Sequence, residues 1–589
     1  MTLRNIATTV LGALVLGAQT LAATPVERPT PAQEAKAAVG AGYIVEAHNA
    51  ASAAEAVRRA GGRITHELPI VNGVSALLTP AQVAKLRKDS ALELFADALV
   101  RTQQVVSMAP DVSASVAAAA GGTGSNVVPD IYQRNMTGVT QLAAQGINGS
   151  GVLVAVLDSG VLSTSHSISN DLNGNNRMLA QFDAINSIVV DATHPYVSSV
   201  NDTYGHGTHV TSLIASSNTW SDALNGQPQG VAPMAKLINV KAFDGNGQST
   251  YASVLNGLNW ILANKSTYGA IRVVNLSFGA KPISFYWNDP IDQAVMKLWQ
   301  AGIVVVASAG NFGPTAQSIA VPGNTPYVIT VGAMTDNYTP TYTADDGIAS
   351  FSSAGPTYEG FIKPDVVAPG GHLAGLMDPA TQLLAANYPQ FATDSYKMFV
   401  MSGTSQAAAV TSGVVALMLQ ANPSLTPDQV KCRLTASAAS AVNAGGKAAY
   451  TVFQQGAGLV NAYNAVYSQA ANCANQGLNI AKDIAGTAHY GGPAHQDPIT
   501  HTFYVLDAKG FPVLADGYLW NQQYSKLQGY LWNAGYLWNN GYLWNNGYLW
   551  NQGYLWNNGY LWNNGYLWNQ STVAPASSPA ATESWNSQE

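Results

Sequence analysis

Short apolar runs, separated by longer amphipathic stretches, dominate the middle of the chain. Val152 to Leu157, Lys236 to Val240, Ile271 to Asn275, Ile303 to Ala307 and Tyr327 to Val331 are brief and rich in Val and Ile. Runs of this length and composition predict strands buried on both faces. Tyr251 to Asn264 and Ile291 to Gln300 predict helices between them. Strands alternating with helices predict an α/β unit, a parallel sheet with helices on both faces. Thr404 to Leu419 is apolar almost all round, the pattern of a buried central helix, and Asn422-Pro423 ends it. Thr426-Pro-Asp-Gln429 has the form of a capping box with proline at the first helical position, so another helix starts there.

The flanks differ in kind. Residues 42–100 predict a small α+β unit, with strands at Gly42 to Ala47, Gly73 to Leu78 and Leu92 to Ala96. Its helices are Ser52 to Ala60 and Pro80 to Lys88, the second capped by Thr79. Residues 101–126, rich in Ala, Ser and Gly, read as an exposed linker. The α/β unit then occupies 127–475 and a connector 476–516. Beyond it, Gly-Tyr-Leu-Trp recurs eight times between Gly517 and Gly565, the last seven copies six residues apart. Asn before Gly signals a turn, Tyr-Leu-Trp favours extended chain, and an even period returns side chains to one face. A small solenoid or stacked hairpins would satisfy this pattern in 517–570, and so would a disordered tract of Asn and aromatics. Residues 571–589 are rich in Ala, Ser and Pro and predict disorder. At the other end, Arg4 precedes the apolar run Ile6 to Gly17, too short to span a bilayer comfortably, with small residues around Ala18 to Ala23. Residues 1–23 therefore predict a secretory signal peptide cut after Ala22 or Ala23, with an uncleaved anchor as the alternative.

Composition narrows the partners. The 589 residues exceed one ordinary domain. Charged residues are only 10%, against about 25% in a typical globular protein, and Ala, Gly, Asn and Ser take their place. Net charge is −7 with no long basic run, which argues against nucleic acid or an anionic membrane as partner. The two cysteines are Cys432 and Cys473. In an exported protein an even count favours a disulfide, here one that fastens the last helix and tail of the α/β unit; two unrelated buried thiols are the alternative.

Three short motifs bear the chemistry. Asp158 lies in Val154-Ala-Val-Leu-Asp-Ser-Gly160, His206 opens His206-Gly-Thr-His209, and Ser405 lies in Ser402-Gly-Thr-Ser-Gln406. A hydroxyl, an imidazole and a carboxylate are the parts of an activated serine nucleophile. Alone, Ser405 would read as a helix N-cap and Asn311 as a turn residue. Asp158 follows a run of apolar residues, which argues for burial and hence for a partner. Asp158 and Asn311 both fall just past the carboxyl ends of expected strands, where parallel sheets gather their functional groups. His209 is the competing imidazole and Asp202 the competing carboxylate. His-x-x-His lacks both the spacing and the glutamate of a zincin.

With Gly230-Val-Ala-Pro233, Asn275-Leu-Ser-Phe-Gly279, Ala309-Gly-Asn311 and Ser350-Phe-Ser-Ser-Ala-Gly-Pro356, these motifs resemble, in order, those of the subtilisin-like serine proteases (subtilases, peptidase S8 type). The resemblance runs from about Val127 to about Ser468, and the chain order Asp, His, Ser is that of subtilisin. It implies a serine endopeptidase with Ser405 as nucleophile, His206 as general base and acid, and Asp158 as the orienting carboxylate. Asn311, with the Ser405 amide, would stabilise the oxyanion. Ser277, Phe278 and Gly279 would pair with an extended protein or peptide substrate. Ala309 and Gly310 would line the pocket before the scissile bond, with a lower wall near Ala320 to Gly323 and a preference for apolar side chains. The same resemblance makes 42–100 a ferredoxin-like inhibitory propeptide whose tail lies in the cleft until a cut within 101–126, so the enzyme would be a secreted, autoprocessed zymogen. No cofactor is expected to be required; structural calcium, frequent in the family, stays open because Ser216 to Gly230 lacks the family's ligand pattern. One departure stands out: after the nucleophile the usual Met-Ala-x-Pro-His is replaced by Gln406-Ala-Ala-Ala-Val410, which bears on how Ser405 is positioned. Two rivals are an esterase, against which the absence of Gly-x-Ser-x-Gly counts, and a binding protein whose aromatic repeat contacts a cell surface or polysaccharide.

Overall fold

The computed structural model describes residues 40–102 and 132–506, apart from 195–197, 220–225, 338, 340–342, 394–396 and 443–447. Beyond 506 it describes 512–514 and 530–531. The expected signal peptide, the linker from 103 onward, all but two residues of the repeats, and the tail lie outside the described residues.

A nine-stranded sheet organises the centre. Seven of its strands run parallel, in the order Val366–Pro369, Ile329–Thr335, Val304–Ser308, Ile271–Leu276, Leu153–Asp158, Lys236–Lys241 and Met178–Asp183. Gly347–Ile348 and Ile188–Asp191 add antiparallel pieces at the two sides. Leu153–Asp158 is buried along its whole length, as its unbroken apolar run requires. Helices Tyr251–Ala263 and Pro290–Gln300 cover the sheet much as expected. The expected strand at Tyr327 to Val331 starts two residues later, because Tyr327 instead turns its hydroxyl to Asp483 at 2.9 Å. Met178–Asp183 and Val366–Pro369 were not anticipated. The first mixes Gln and Asp into its apolar positions, and the second is four residues long and ends on a proline, which only a strand margin tolerates.

Helix Thr404–Ala421 runs through the middle of the core, its residues from Thr404 to Leu419 all buried. The capping box at Thr426 starts helix Pro427–Ser437, on which Cys432 is bonded to Cys473 with Cα atoms 5.1 Å apart. The described residues of the connector, 476–506 and 512–514, carry helix and strands. Its helix Ile480–Ile484 buries Asp483, whose carboxylate accepts from the Tyr286 and Tyr327 hydroxyls and lies 2.8 Å from His489 Nδ1. Tyr530–Leu531, from the second repeat, pairs antiparallel with Tyr490–Gly491.

The front unit is a four-stranded antiparallel sheet, ordered Arg63–Leu68, Gly73–Leu78, Ala41–Glu46, Glu93–Ala96, with helices Ala50–Ala60 and Pro80–Leu86. Arg63–Leu68 was missed because its polar side chains hide a half-buried alternation. The unit packs on the helices of the central one: Ile70 N donates to Asn259, and Asp97 accepts from Ala252 N at the start of Tyr251–Ala263. Ile44, Leu68, Ile70 and Val71 join the central apolar core. Among the described residues no helix is long and apolar enough to cross a membrane.

Candidate active site

Leu153–Asp158 delivers Asp158 to the carboxyl edge of the sheet, fully buried. Its Oδ1 lies 2.7 Å from His206 Nδ1 and also accepts from the Ser159 amide. A carboxylate only accepts, so Nδ1 bears the ring proton and Nε2 keeps the basic lone pair. His206 opens helix His206–Ala215. The next residue has to be glycine, since a Cβ on Gly207 would sit 2.2 Å from the Gly160 carbonyl oxygen. Asp202 does not compete for the imidazole. Its Oδ1 accepts from the Tyr204 and Gly205 amides and its Oδ2 from the Thr208 amide and hydroxyl, so it fastens the start of the histidine's helix.

Ser405 sits in the first turn of the central helix, fully buried. Its hydroxyl donates to the Ser277 carbonyl at 3.0 Å, and the Ser277 hydroxyl donates back to the Ser405 carbonyl at 2.9 Å. Asn275 and Ser412 extend this chain, Asn275 Nδ2 donating to Ser277 Oγ and Ser412 Oγ to Asn275 Oδ1. His206 Nε2 has no hydrogen-bond partner among the described residues. Nucleophile–base bonds are often loose before substrate is engaged, and a rotation about χ1 redirects a serine hydroxyl. Asn311 follows strand Val304–Ser308 by three residues. Its Oδ1 accepts from the Thr404 amide at 3.0 Å and hydroxyl at 2.8 Å, which turns the amide's NH₂ end away from Thr404. Asp158, Ser277 and Asn311 thus lie at or beyond the carboxyl ends of three neighbouring strands.

A strand of the front unit runs beside these groups. Leu99–Thr102 forms the middle strand of an antiparallel trio between Gln248–Thr250 and Phe278–Gly279, with Thr102 opposite Phe278 and Arg101 opposite Gly279. Arg101 and Thr102, assigned to the linker from sequence, therefore belong to a strand. Val100 and Thr102 turn inward and are buried, whereas Leu99 and Arg101 face out. Ala280 exchanges backbone hydrogen bonds with Val321, and Ala320 N donates to the Ala309 carbonyl. Residues 277–280, 309–310 and 320–323 thereby meet as adjoining walls. Loop residues 216–219 and 226–230 bear no carboxylate, and the Gly230 carbonyl accepts from the buried Arg134 guanidinium. Among the described residues no cluster of three or more His, Cys, Asp or Glu is placed to hold a metal ion.

Sequence reading had no role for Asn275, Thr404 or Gln382. All three orient neighbours by hydrogen bonds between segments distant in the chain, for which local pattern has no signal. Gln382, for one, reaches Asp202 and Thr208 from more than 170 residues away.

Comparison with known proteins gives the family. The model of the subtilase family matches residues 149–458, more than half of the chain. Serine protease AprX of Bacillus subtilis is 40% identical over 291 residues, which are 49% of this chain and 61% of AprX. Subtilisin of Bacillus pumilus is 32% identical over 308 residues, 51% of this chain and 90% of that protein. Fervidolysin from Fervidobacterium pennivorans, a keratinolytic enzyme related to subtilisin, shares the fold, with a TM-score of 0.54 at 24% identity over 80% of this chain and 64% of fervidolysin. The chain thus spans under two thirds of AprX and of fervidolysin. Both the family match and the relatives covered nearly end to end converge on one assignment: the chain belongs to the subtilase family of serine endopeptidases.

Proposed function

We propose that this subtilase is a secreted endopeptidase made as an autoprocessed zymogen, with Ser405, His206 and Asp158 as its catalytic residues. His206 Nε2 takes the Ser405 hydroxyl proton as Oγ attacks the scissile carbonyl. Asp158 holds the ring in the required tautomer and stabilises the imidazolium that forms. The Asn311 side-chain amide and the Ser405 N–H donate to the oxyanion. His206 then passes the proton to the leaving amine. Water, deprotonated by the same imidazole, attacks the acyl carbon, and the imidazolium returns the proton to Ser405 Oγ as the acyl–oxygen bond breaks.

The observation that carries this reading is the strand Leu99–Thr102, an extended segment paired with Phe278–Gly279 beside the nucleophile. A substrate backbone would add to the cleft in the same way. In this reading 42–100 is an inhibitory propeptide, and the maturation cut falls within 101–126. The walls formed by Ala309, Gly310, Ala320 and Gly323 are small and favour apolar side chains before the scissile bond. No cofactor is required. The aromatic repeat adds an anchoring role at a cell surface or polysaccharide; deleting 517–589 should then abolish surface binding and spare peptide hydrolysis. The decisive experiment for the enzyme is Ser405→Ala. It should abolish hydrolysis of protein substrates and leave the precursor uncut by mass spectrometry; a variant that still matures and cleaves would refute the reading.

A further inference from the structure

The departure after the nucleophile has a structural counterpart. Gln406 is fully buried, and its side-chain nitrogen lies 3.4 Å from Nδ1 of His209. His209 stands one turn after His206 on the same helix and is also fully buried. Its Nε2 faces two backbone carbonyls, Leu373 at 3.1 Å and Phe399 at 3.0 Å. Carbonyls only accept, so Nε2 bears the proton and Nδ1 of the neutral ring is an acceptor. The Gln406 atom facing it must then be the NH₂ donor, which fixes the orientation of the amide. A protonated ring would turn a second N–H toward that NH₂ group, and burial, followed by the neighbouring His206, pushes the His209 pKa down to about 3. His209 therefore stays neutral and cannot replace His206 as the base. The strand pair behind the ring, Leu373–Leu376 with Met398–Met401, leaves it no room to swing: a Cβ on Gly375 would meet the ring at 2.5 Å.

We propose that Gln406 is a positioning residue that acts through His209. The bond joins the first turn of the nucleophile's helix to the first turn of the histidine's helix, and His209 in turn anchors both to the paired strands. Ser405 is the chain neighbour of Gln406, and His206 is one turn from His209, so the link sets the approach of the reacting hydroxyl and imidazole. A thioether or an apolar side chain at 406 has no N–H to donate and would leave Nδ1 without this bond. The proposal rests on the endopeptidase reading above for its kinetic test, and a spectroscopic test stands apart from it.

The kinetic test uses the mature enzyme on a peptide substrate, with Gln406→Met, His209→Asn and the double variant. Each single change is expected to lower kcat about tenfold with KM little changed, since the link serves the chemical step rather than ground-state binding. The double variant should lose no more than the worse single one, as expected of two residues acting as a unit. An unchanged kcat in Gln406→Met, or losses that multiply, overturns the proposal. A second test needs no peptidase activity: the full-length Ser405→Ala chain is labelled with nitrogen-15 at histidine, and where Gln406→Met does not fold the milder Gln406→Asn takes its place. His209 should then show the Nε2–H tautomer without titrating from about pH 4 to 9, and Gln406→Met in that background should shift the Nδ1 resonance. An Nδ1–H tautomer, a titration in that range, or an unmoved resonance overturns it equally, whatever the outcome for activity.

Discussion

Replacing Asp202 by alanine should destabilise the protein by removing the anchor of the histidine's helix. Six hydrogen bonds end on this fully buried carboxylate, from the Ser159 hydroxyl, the Tyr204, Gly205 and Thr208 amides, the Thr208 hydroxyl and the Gln382 side chain. The two hydroxyls and the glutamine can rotate to other acceptors. The three backbone N–H groups are held by the chain and cannot. Each stranded buried donor costs about 1–3 kcal/mol. Three such donors come to about 3–9 kcal/mol, and water entering the vacated space offsets part of that, which leaves roughly 3–5 kcal/mol. At about 2 °C per kcal/mol for a unit of this size, Tm should fall by roughly 6–10 °C. The assay is thermal unfolding of Asp202→Ala in the Ser405→Ala background, where self-digestion cannot interfere. In the active background kcat should fall more than KM rises, because the helix that presents His206 has lost its fastening. A melting temperature within about 2 °C of the parent, the effect of an ordinary surface change, would refute the reasoning.

Four further outcomes follow from the same structure. Asn311→Leu should lower kcat about 10²–10³-fold with KM nearly unchanged, the loss found for the corresponding donor of subtilisin itself; steady-state kinetics on a peptide checks it. Glu46, in the front unit, has its pKa raised to about 8, first by burial and then by neighbouring Glu93. Between its ordinary value of 4.5 and about 8 the folded state holds a proton that the unfolded chain has lost, so stability should fall as pH rises through that window and level off above it. Melting curves of the Ser405→Ala chain across that range should show the slope, and Glu46→Gln should flatten it. Breaking the Cys432–Cys473 bond by double serine substitution opens a loop with a sequence separation of 41, and chain entropy sets the loss near 4 kcal/mol, read from denaturant unfolding. Adding a chelator should leave Tm unchanged, and a drop would overturn this by assigning a structural cation.

Five core strands and the main helices were legible because burial on both faces forces unbroken apolar runs, which no loop shares. Met178–Asp183 and Arg63–Leu68 were not: the first buries Gln181 and Asp183 among its apolar residues, which breaks the run, and the second has one wet face whose polar residues blur its period. For the site, Asp158, His206, Ser405 and Asn311 were legible from short motifs, each needing glycine or small neighbours where backbones approach closely. Asp202, the alternative carboxylate to Asp158, does not reach His206. Chain proximity alone favoured it, whereas the fold turns its carboxylate to the amides at the helix start. Thr404 and Asn275 stood inside motifs but without a role, and Gln382 left no local mark, since the partners they orient are set only by how distant segments pack.

The chain by itself determined the layered α/β architecture, the reaction class its motifs resemble, and the unusual residue after Ser405. These follow from local rules: side-chain period, helix capping and the chemistry of single residues. Only the tertiary structure decided that Leu99–Thr102 pairs with Phe278–Gly279, that the Ser405 hydroxyl rests on Ser277, and that Gln406 meets His209. Each of these joins segments more than 100 residues apart, and such contacts depend on the whole sheet and its crossovers being in place. The replacement after the nucleophile, which in the sequence was only a departure from its family, becomes in the fold a bond between the two helices that bring the reacting groups together.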